Sequence, residues 1–436
     1  MGGSRLLGVG LKKTPPVPPP NAERMKLPLA CCRLQVLGAA LAVCMTIGFT
    51  LQLLGAPFQR RGSPDQLPDL RLLPGGGAVE GGPSPSRPCQ PRRHIVFLKT
   101  HKTGSSTIVN LLHRFGETRG LRFALPPRYQ FGYPYPFQAR RVKGYRPGGP
   151  SFDILCHHMR FDLTEVQKVM PPDSFYFSIV RDPGSLAESA FSYYRGVAPA
   201  FRRAGSLAQF LEAPGRFYDP AERGNHYARN LLWFDFGLAP PASPGPEAVR
   251  AALAQLDRTF PLVLLTEHFD ESLVLLREAL CWAEEDVDAF RHNERSPRAV
   301  RPLAPPQATQ LRAWNALDWK LYAHFNRSFW RHVEAFGPDR LRAEVARLRE
   351  RRQELARRCL QGGGPVEAAG IPDERIRPFQ FGQAQILGYA LRPGLGPVDQ
   401  QLCTRLVTPE LQYKDRLDAR QFGANGSAGA PGGAGR

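Results

Sequence analysis

Apolar residues in this chain gather into short, nearly unbroken runs, separated by stretches whose apolar positions recur at helical spacing. Buried strand-length runs alternating with amphipathic helices predict an α/β fold with a mainly parallel sheet flanked by helices. His94–Leu98 is the first such strand, and Ile108, Leu111, Leu112 and Phe115 then mark one face of a helix. Phe152–Cys156 predicts a second strand, after which Asp162-Leu163-Thr164-Glu165 has the form of a capping box. Phe175–Val180 predicts a third strand, stopped at Arg181-Asp182-Pro183 and followed by a helix from about Gly184 to Tyr194. Leu262–Thr266 is another buried strand, leading into the amphipathic helix Glu271–Trp282. From Ala304 to Arg358 the pattern is mostly helical, with Trp314, Trp319, Tyr322, Phe325, Phe329 and Trp330 expected as core or packing residues.

One apolar run has a different length. Leu34–Leu54 holds no charged residue, and ~20 such residues cross a bilayer. Arg5, Lys12, Lys13, Arg24, Lys26 and Arg33 precede it against the single acid Glu23, so the N-terminus stays cytosolic and the rest is translocated. A cleaved signal peptide is the competing reading, but its apolar core usually spans only ~7–15 residues. The expected organisation is a cytosolic tail (1–33), a transmembrane signal anchor (34–54), a Pro/Gly-rich stem (55–93), a luminal catalytic domain (94–421) and a Gly/Ala-rich disordered tail (422–436).

A lumen admits disulfides and glycans. Of eight cysteines, Cys89, Cys156, Cys281, Cys359 and Cys403 fall in the translocated part; their spacing fixes no pairing and suggests no zinc site. Asn326-Arg327-Ser328 and Asn425-Gly426-Ser427 are glycosylation sequons at Asn326 and Asn425. The net charge of +19 suits an anionic ligand; nucleic acid is an unsuitable partner for a translocated chain. The basic run Arg340–Arg358 carries Leu341, Val345, Leu348 and Leu355 at helical spacing, which is a solvated helix face.

The densest chemistry lies where the first strand meets its helix: Lys99-Thr100-His101-Lys102-Thr103-Gly104-Ser105-Ser106-Thr107. A small-residue loop leading into a helix N-terminus, with lysines and hydroxyls, holds a phosphate or another tetrahedral anion. It is not an ATPase loop. A Walker A motif needs a glycine five residues before Gly-Lys-[Ser/Thr], whereas here Lys102 precedes Gly104. Arg181, at the exit of the third strand, and Ser189, two turns along the next helix, form a second candidate anion site.

Together these segments resemble the sulfotransferase superfamily: Lys99–Thr107 is similar to its 5′-phosphosulfate loop, and Arg181 with Ser189 to its 3′-phosphate motif. The fuller match, Phe97–Ser106 with His157-His158-Met159-Arg160-Phe161, Ser189–Tyr194 and Phe269–Leu276, resembles the galactose-3-O-sulfotransferases from about residue 94 to 415. His226–Phe234 and Pro409–Asp415 are most similar to the branch acting on mucin-type O-glycans.

The resemblance implies a P-loop-like sulfotransferase fold, a Golgi location with single-pass type II topology, and 3′-phosphoadenylyl sulfate as donor. No tightly bound metal is expected. The acceptor would be a glycan with terminal galactose, and the oligomeric state is left open. Lys102 would neutralise the departing 5′-phosphate; Lys99 would hold sulfuryl oxygens; Thr103, Gly104, Ser105, Ser106 and Thr107 would donate to the phosphate. The attacking hydroxyl needs a base: His101 is the first candidate, His158 the second, Glu267 the third. Phe131, Tyr133 and Tyr135 are candidates either to stack on galactose or to anchor a loop. Competing functions are a sulfotransferase on a glycolipid, N-acetyllactosamine or glycosaminoglycan acceptor, and a non-catalytic Golgi glycan-binding protein.

Overall fold

The computed structural model describes residues 89–239, 245–300, 303–382 and 384–423. The expected anchor, most of the stem, Asn425 and the tail beyond 423 lie outside these residues. Among the described residues no helix is long and apolar enough to cross a membrane.

The sheet has five strands in the order β2-β3-β1-β4-β5. They are β1 (Ile95–Leu98), β2 (Phe123–Ala124), β3 (Ile154–Leu155), β4 (Phe175–Val180) and β5 (Leu262–Leu265). Every pairing is parallel. β1 is central, with Ile95 opposite both Ile154 of β3 and Phe175 of β4. Its four residues are all buried, as the unbroken apolar run requires of a strand covered on both faces. The expected strand at Phe152–Cys156 is shorter than its apolar run, and β2 is an edge strand too short to leave a periodic signal.

Helix α1 (Ser105–Thr118) follows β1 and lies close to the sheet. A Cβ on its Gly116 would come within 2.4 Å of the Phe123 ring, so that glycine permits the approach. The helix α2 (Pro183–Tyr194) leaves β4, with the Asp182 side chain accepting from the Ser185 N–H at 3.0 Å. The capping box exists in part: Asp162 accepts from the Glu165 N–H and opens the single turn Leu163–Val166. Next come α3 (Leu231–Asp235), α4 (Phe269–Leu280), α5 (Pro305–Trp314), α6 (Ala316–Phe336) and α7 (Pro338–Cys359).

Phe325 and Phe329 of α6 enter the core, whereas Trp319 and Trp330 are exposed and serve as packing residues only. The indole of Trp319 packs with the Arg312 guanidinium. The basic run forms α7, whose Leu341, Val345 and Leu348 are buried. Its arginines do more than face water: Arg349 pairs with Asp270 at 2.7 Å and Arg351 with Asp288 at 2.7 Å.

The C-terminal part builds a second, smaller core around Phe290, Cys359, Ile371, Tyr389, Cys403 and Leu406. It contains a two-stranded antiparallel pair, Val366–Glu367 with Leu387–Gly388, and the helices α8 (Pro397–Val407) and α9 (Glu410–Phe422). Cys359 is bonded to Cys403, Cys89 to Cys281, and Cys156 is a buried free thiol. The α8 and α9 helices are both held against α1, where Glu117 takes hydrogen bonds from Arg405 of α8 at 2.9 Å and Tyr413 of α9 at 2.7 Å.

A candidate anion and acceptor site at the C-terminal ends of the strands

β1, β3, β4 and β5 all end on one side of the sheet, where the strand order reverses around β1. Open α/β sheets bind ligands there. β1 delivers Lys99–Gly104, β3 delivers His157 and His158, and β4 delivers Arg181. The loop turns sharply into α1: Lys102 has φ 61° and Gly104 has φ 73°. Positive φ is uncommon for a residue with a side chain. Such a turn, followed by a helix whose first N–H groups lack intrahelical partners, makes a concave anion cradle.

Several loop hydroxyls hold the loop itself. Ser105 Oγ donates to the Thr100 carbonyl at 2.7 Å, and Thr103 Oγ1 lies 2.9 Å from Thr100 Oγ1. Thr107 Oγ1 accepts from the His292 N–H at 2.9 Å. Ser106 Oγ donates to Glu410 at 2.8 Å. What remains open at the loop is positive charge. Lys102 keeps some solvent contact, yet desolvation, with Arg295, Arg181 and Lys99 nearby, brings its pKa down to about 7. Lys102 is thus desolvated first and crowded by cations second, a place where an anionic donor would favour its charged form.

Arg181 donates to the Lys102 carbonyl at 3.1 Å, placing the second anion motif against the first. Ser189 is buried on α2, next to Glu188, whose carboxylate holds Arg295 at 2.6 Å. Arg295 has no distinguishing neighbours in sequence, and only the fold brings it to this group. Glu267 is occupied elsewhere: it accepts from the Asp182 N–H at 2.8 Å and so braces the Arg181 turn.

His101 is buried beside the loop lysine, with Nδ1 2.9 Å from Asp235 Oδ1. The same carboxylate accepts from the His101 backbone N–H at 2.8 Å and from the Tyr133 hydroxyl at 2.9 Å. An acceptor so engaged orients the ring, with Nδ1 as the donor to the carboxylate. Asp235 ends α3, and that helix is itself pinned. The Leu232 and Trp233 N–H groups donate to Asp318, whose pKa burial raises to about 7. Tyr133 is thus an anchor for Asp235, Phe131 is core, and Tyr135 is exposed.

His158 stacks on His101 with ring centroids 3.9 Å apart and planes 10° from parallel. Its Nδ1 donates to the Lys99 carbonyl at 3.0 Å. Burial, with His101 and Lys99 adding, holds its pKa well below the ordinary value, so the ring is neutral. His157 turns into the core, 3.3 Å from His113 between the Nε2 atoms. With Cys156 these two form the one group among the described residues whose atoms gather as metal ligands do. The facing ring nitrogens are spent on each other and burial pushes the Cys156 thiol pKa up, so the set is neutral and suits a packed core better than a cation.

Beside His101 opens a cavity of about 310 Å³, lined also by Tyr129, Tyr193, Tyr227, Phe381 and Glu410. It lies at the small end of the ligand-pocket range of ~300–1,000 Å³. Asn326 sits within α6, its amide 3.5 Å from the Tyr322 hydroxyl.

A cation-ringed loop and an oriented imidazole thus meet at one end of a parallel sheet, the equipment of a group transferase that takes an anionic donor. Residues 45–421 match the galactose-3-O-sulfotransferase family, and the chain belongs to that family. It is accordingly a carbohydrate sulfotransferase, and the family implies 3′-phosphoadenylyl sulfate as donor. It is 51% identical to the Bos taurus galactose-3-O-sulfotransferase 4, over 88% of this chain and 93% of the relative. It is 53% identical to the Homo sapiens galactose-3-O-sulfotransferase 2, over 80% and 86% respectively. The Mus musculus galactosylceramide sulfotransferase is 44% identical over 82% of this chain and 88% of its own. A sulfotransferase crystal structure from Alicyclobacillus acidocaldarius covers 56% of the chain at 18% identity, with a TM-score of 0.29, too loose a likeness to build on.

Proposed function

We propose that the chain moves a sulfuryl group from 3′-phosphoadenylyl sulfate to the 3-hydroxyl of terminal β-galactose on glycoprotein O-glycans of the core 1 type, Gal-β1,3-GalNAc. It would act in the Golgi lumen as a single-pass type II protein anchored by Leu34–Leu54. The observation that carries the reading is the His101–Asp235 pair beside Lys102, at 2.9 Å. His101 Nε2 takes the proton of the attacking hydroxyl as its oxygen bonds to sulfur. The sulfur–oxygen bond to the 5′-phosphate breaks, and the electron pair leaves with that phosphate. Lys102 offsets the charge there, Lys99 and the first N–H groups of α1 hold the remaining oxygens, and Arg181, Ser189 and Arg295 take the 3′-phosphate. His158 serves as the neutral platform that keeps the His101 ring in its plane.

The acceptor choice draws on the relatives named galactose-3-O-sulfotransferase 4; the 44% identical galactosylceramide sulfotransferase supports a glycolipid as the second reading. Transfer of labelled sulfate to a panel of galactosides, with the linkage read on the product, decides between them. Preference for Gal-β1,3-GalNAc with 3-O linkage is the expected result. Preference for galactosylceramide would replace the acceptor assignment, and no transfer to any galactoside would overturn the reading.

A further inference from the structure

Both loop lysines are backed by residues from outside the loop, and in each case the contact leads to the C-terminal part of the chain. Lys99 is buried, and its Nζ is 3.3 Å from the carboxylate of Glu410 and 3.2 Å from Ser105 Oγ. Glu410 opens α9, some 300 residues along the chain, and its carboxylate also accepts from Ser106 Oγ at 2.8 Å and lies 3.8 Å from His157 Nδ1. Burial alone would raise the Glu410 pKa, but Lys99, with His157 and Ser106 adding, holds it below the ordinary value. The group is therefore an ionised carboxylate set between a lysine and a hydroxyl of the loop. Lys102 lies with Nζ 3.7 Å from the centre of the Tyr193 ring. The Tyr193 ring is in turn stacked with Phe381, centroids 4.8 Å apart and planes 25° from parallel. An aromatic face is one of the few partners that favours an ammonium without cancelling its charge.

We propose that Glu410 and the Phe381–Tyr193 pair are positioning residues for sulfuryl transfer, fixing Lys99 and Lys102 respectively. This rests on the reading of the loop as the donor site. Tyr193, Phe381 and Glu410 also line the cavity beside His101. The C-terminal segment therefore touches the acceptor space on one side and the donor lysines on the other.

Two variants test this, with calorimetric titration of 3′-phosphoadenosine 5′-phosphate and steady-state rates on one galactoside. Glu410→Gln keeps the shape and removes a negative charge near the anion site. It should bind the nucleotide as tightly as wild type or tighter, while kcat falls roughly 10-fold or more, as for a lost hydrogen bond to a charged group. A merely structural role would weaken binding and rate together, and that outcome, or an unchanged kcat, would overturn the assignment of Glu410. Tyr193→Leu should lower kcat by roughly 2- to 30-fold, the range of a partly desolvated cation–π contact. It should also move the pH midpoint of nucleotide binding downward, since Lys102 loses a partner for its charged form. Tyr193→Phe, which keeps the ring face, should restore both. Equal loss in the Phe and Leu variants, or an unmoved midpoint in the Leu variant, overturns the assignment of Tyr193. Failure of the wild-type protein to bind the nucleotide is a separate result, which removes the donor-site reading itself.

Discussion

The donor loop and the C-terminal wall of the cavity meet at Lys99 and Ser106, yet they are built in opposite ways. The loop is nine consecutive residues, Lys99–Thr107, whose position at a strand exit and helix start dictates what it holds. The wall is assembled from Phe381 and Glu410, which lie on separate segments of the chain. Donor chemistry is common to sulfuryl transfer and needs a fixed cradle, which a short contiguous motif supplies. Acceptor contacts need shape, which side chains from several elements supply. The comparison implies that damage in the loop should abolish turnover, whereas damage in the wall should tune it.

The largest effect should come from the loop histidine and the carboxylate behind it. His101→Ala should cost ~10²–10⁴-fold in kcat, the usual cost of losing a general base, with nucleotide affinity retained. Asp235→Asn should cost nearly as much, because an amide facing Nδ1 can donate and so favours the wrong tautomer. Steady-state rates with calorimetric nucleotide titrations would check this. If His101→Ala turned over normally while His158→Ala were dead, the stacked pair would have exchanged roles.

How far the site was legible follows the same division. Lys99, His101, Lys102 and Arg181 sit where strands end, and a strand end is visible as an apolar run stopping at charge. Asp235 was not visible, because it ends the short helix Leu231–Asp235 within an aromatic segment and its function is set by a contact 134 positions away. Arg295 and Glu410 were missed for the same reason: a charged residue in a basic chain is informative only once its neighbours are known. Tyr133 left two readings open, stacking on sugar or anchoring a loop, and the hydrogen bond to Asp235 selects the second. In the fold, β4 was legible to the residue, while β2 and the pair Val366–Glu367 with Leu387–Gly388 are too short to show a period of two.

A moderate effect should appear in the pH dependence of donor binding, and it separates the two regions without a mutation. Lys102 has its pKa brought down to about 7 by desolvation, then by Arg295, Arg181 and Lys99. A bound polyanion raises that pKa again, so binding takes up a proton above about pH 7 and none well below it. Nucleotide affinity should be flat below this point and fall by up to ~10-fold per pH unit above it, until the pKa of the bound state is passed. Lys102→Met should remove the slope along with much of the affinity. With the wall as the acceptor side, as proposed, galactoside KM should not share the slope; a parallel rise would mean the two regions titrate as one.

The smallest effect on catalysis should come from the tether of the wall. The Cys359–Cys403 bond joins α7 to α8 inside the second core and spans 44 positions. Closing a loop of that size contributes about 2–4 kcal/mol to stability through the unfolded chain. Replacing both cysteines by alanine should therefore lower the melting temperature clearly. If the wall fixes Lys99 and Lys102 through Glu410 and Phe381, its loosening should also slow turnover by a few-fold, on the order of 1 kcal/mol. Nucleotide affinity should hold within roughly twofold, because the loop keeps its own hydrogen bonds to Thr100. Differential scanning calorimetry, rates and titration on the same preparation give all three numbers. A large loss of nucleotide affinity would break the comparison, since the cradle would then depend on the wall for its shape as well as for the placement of its lysines.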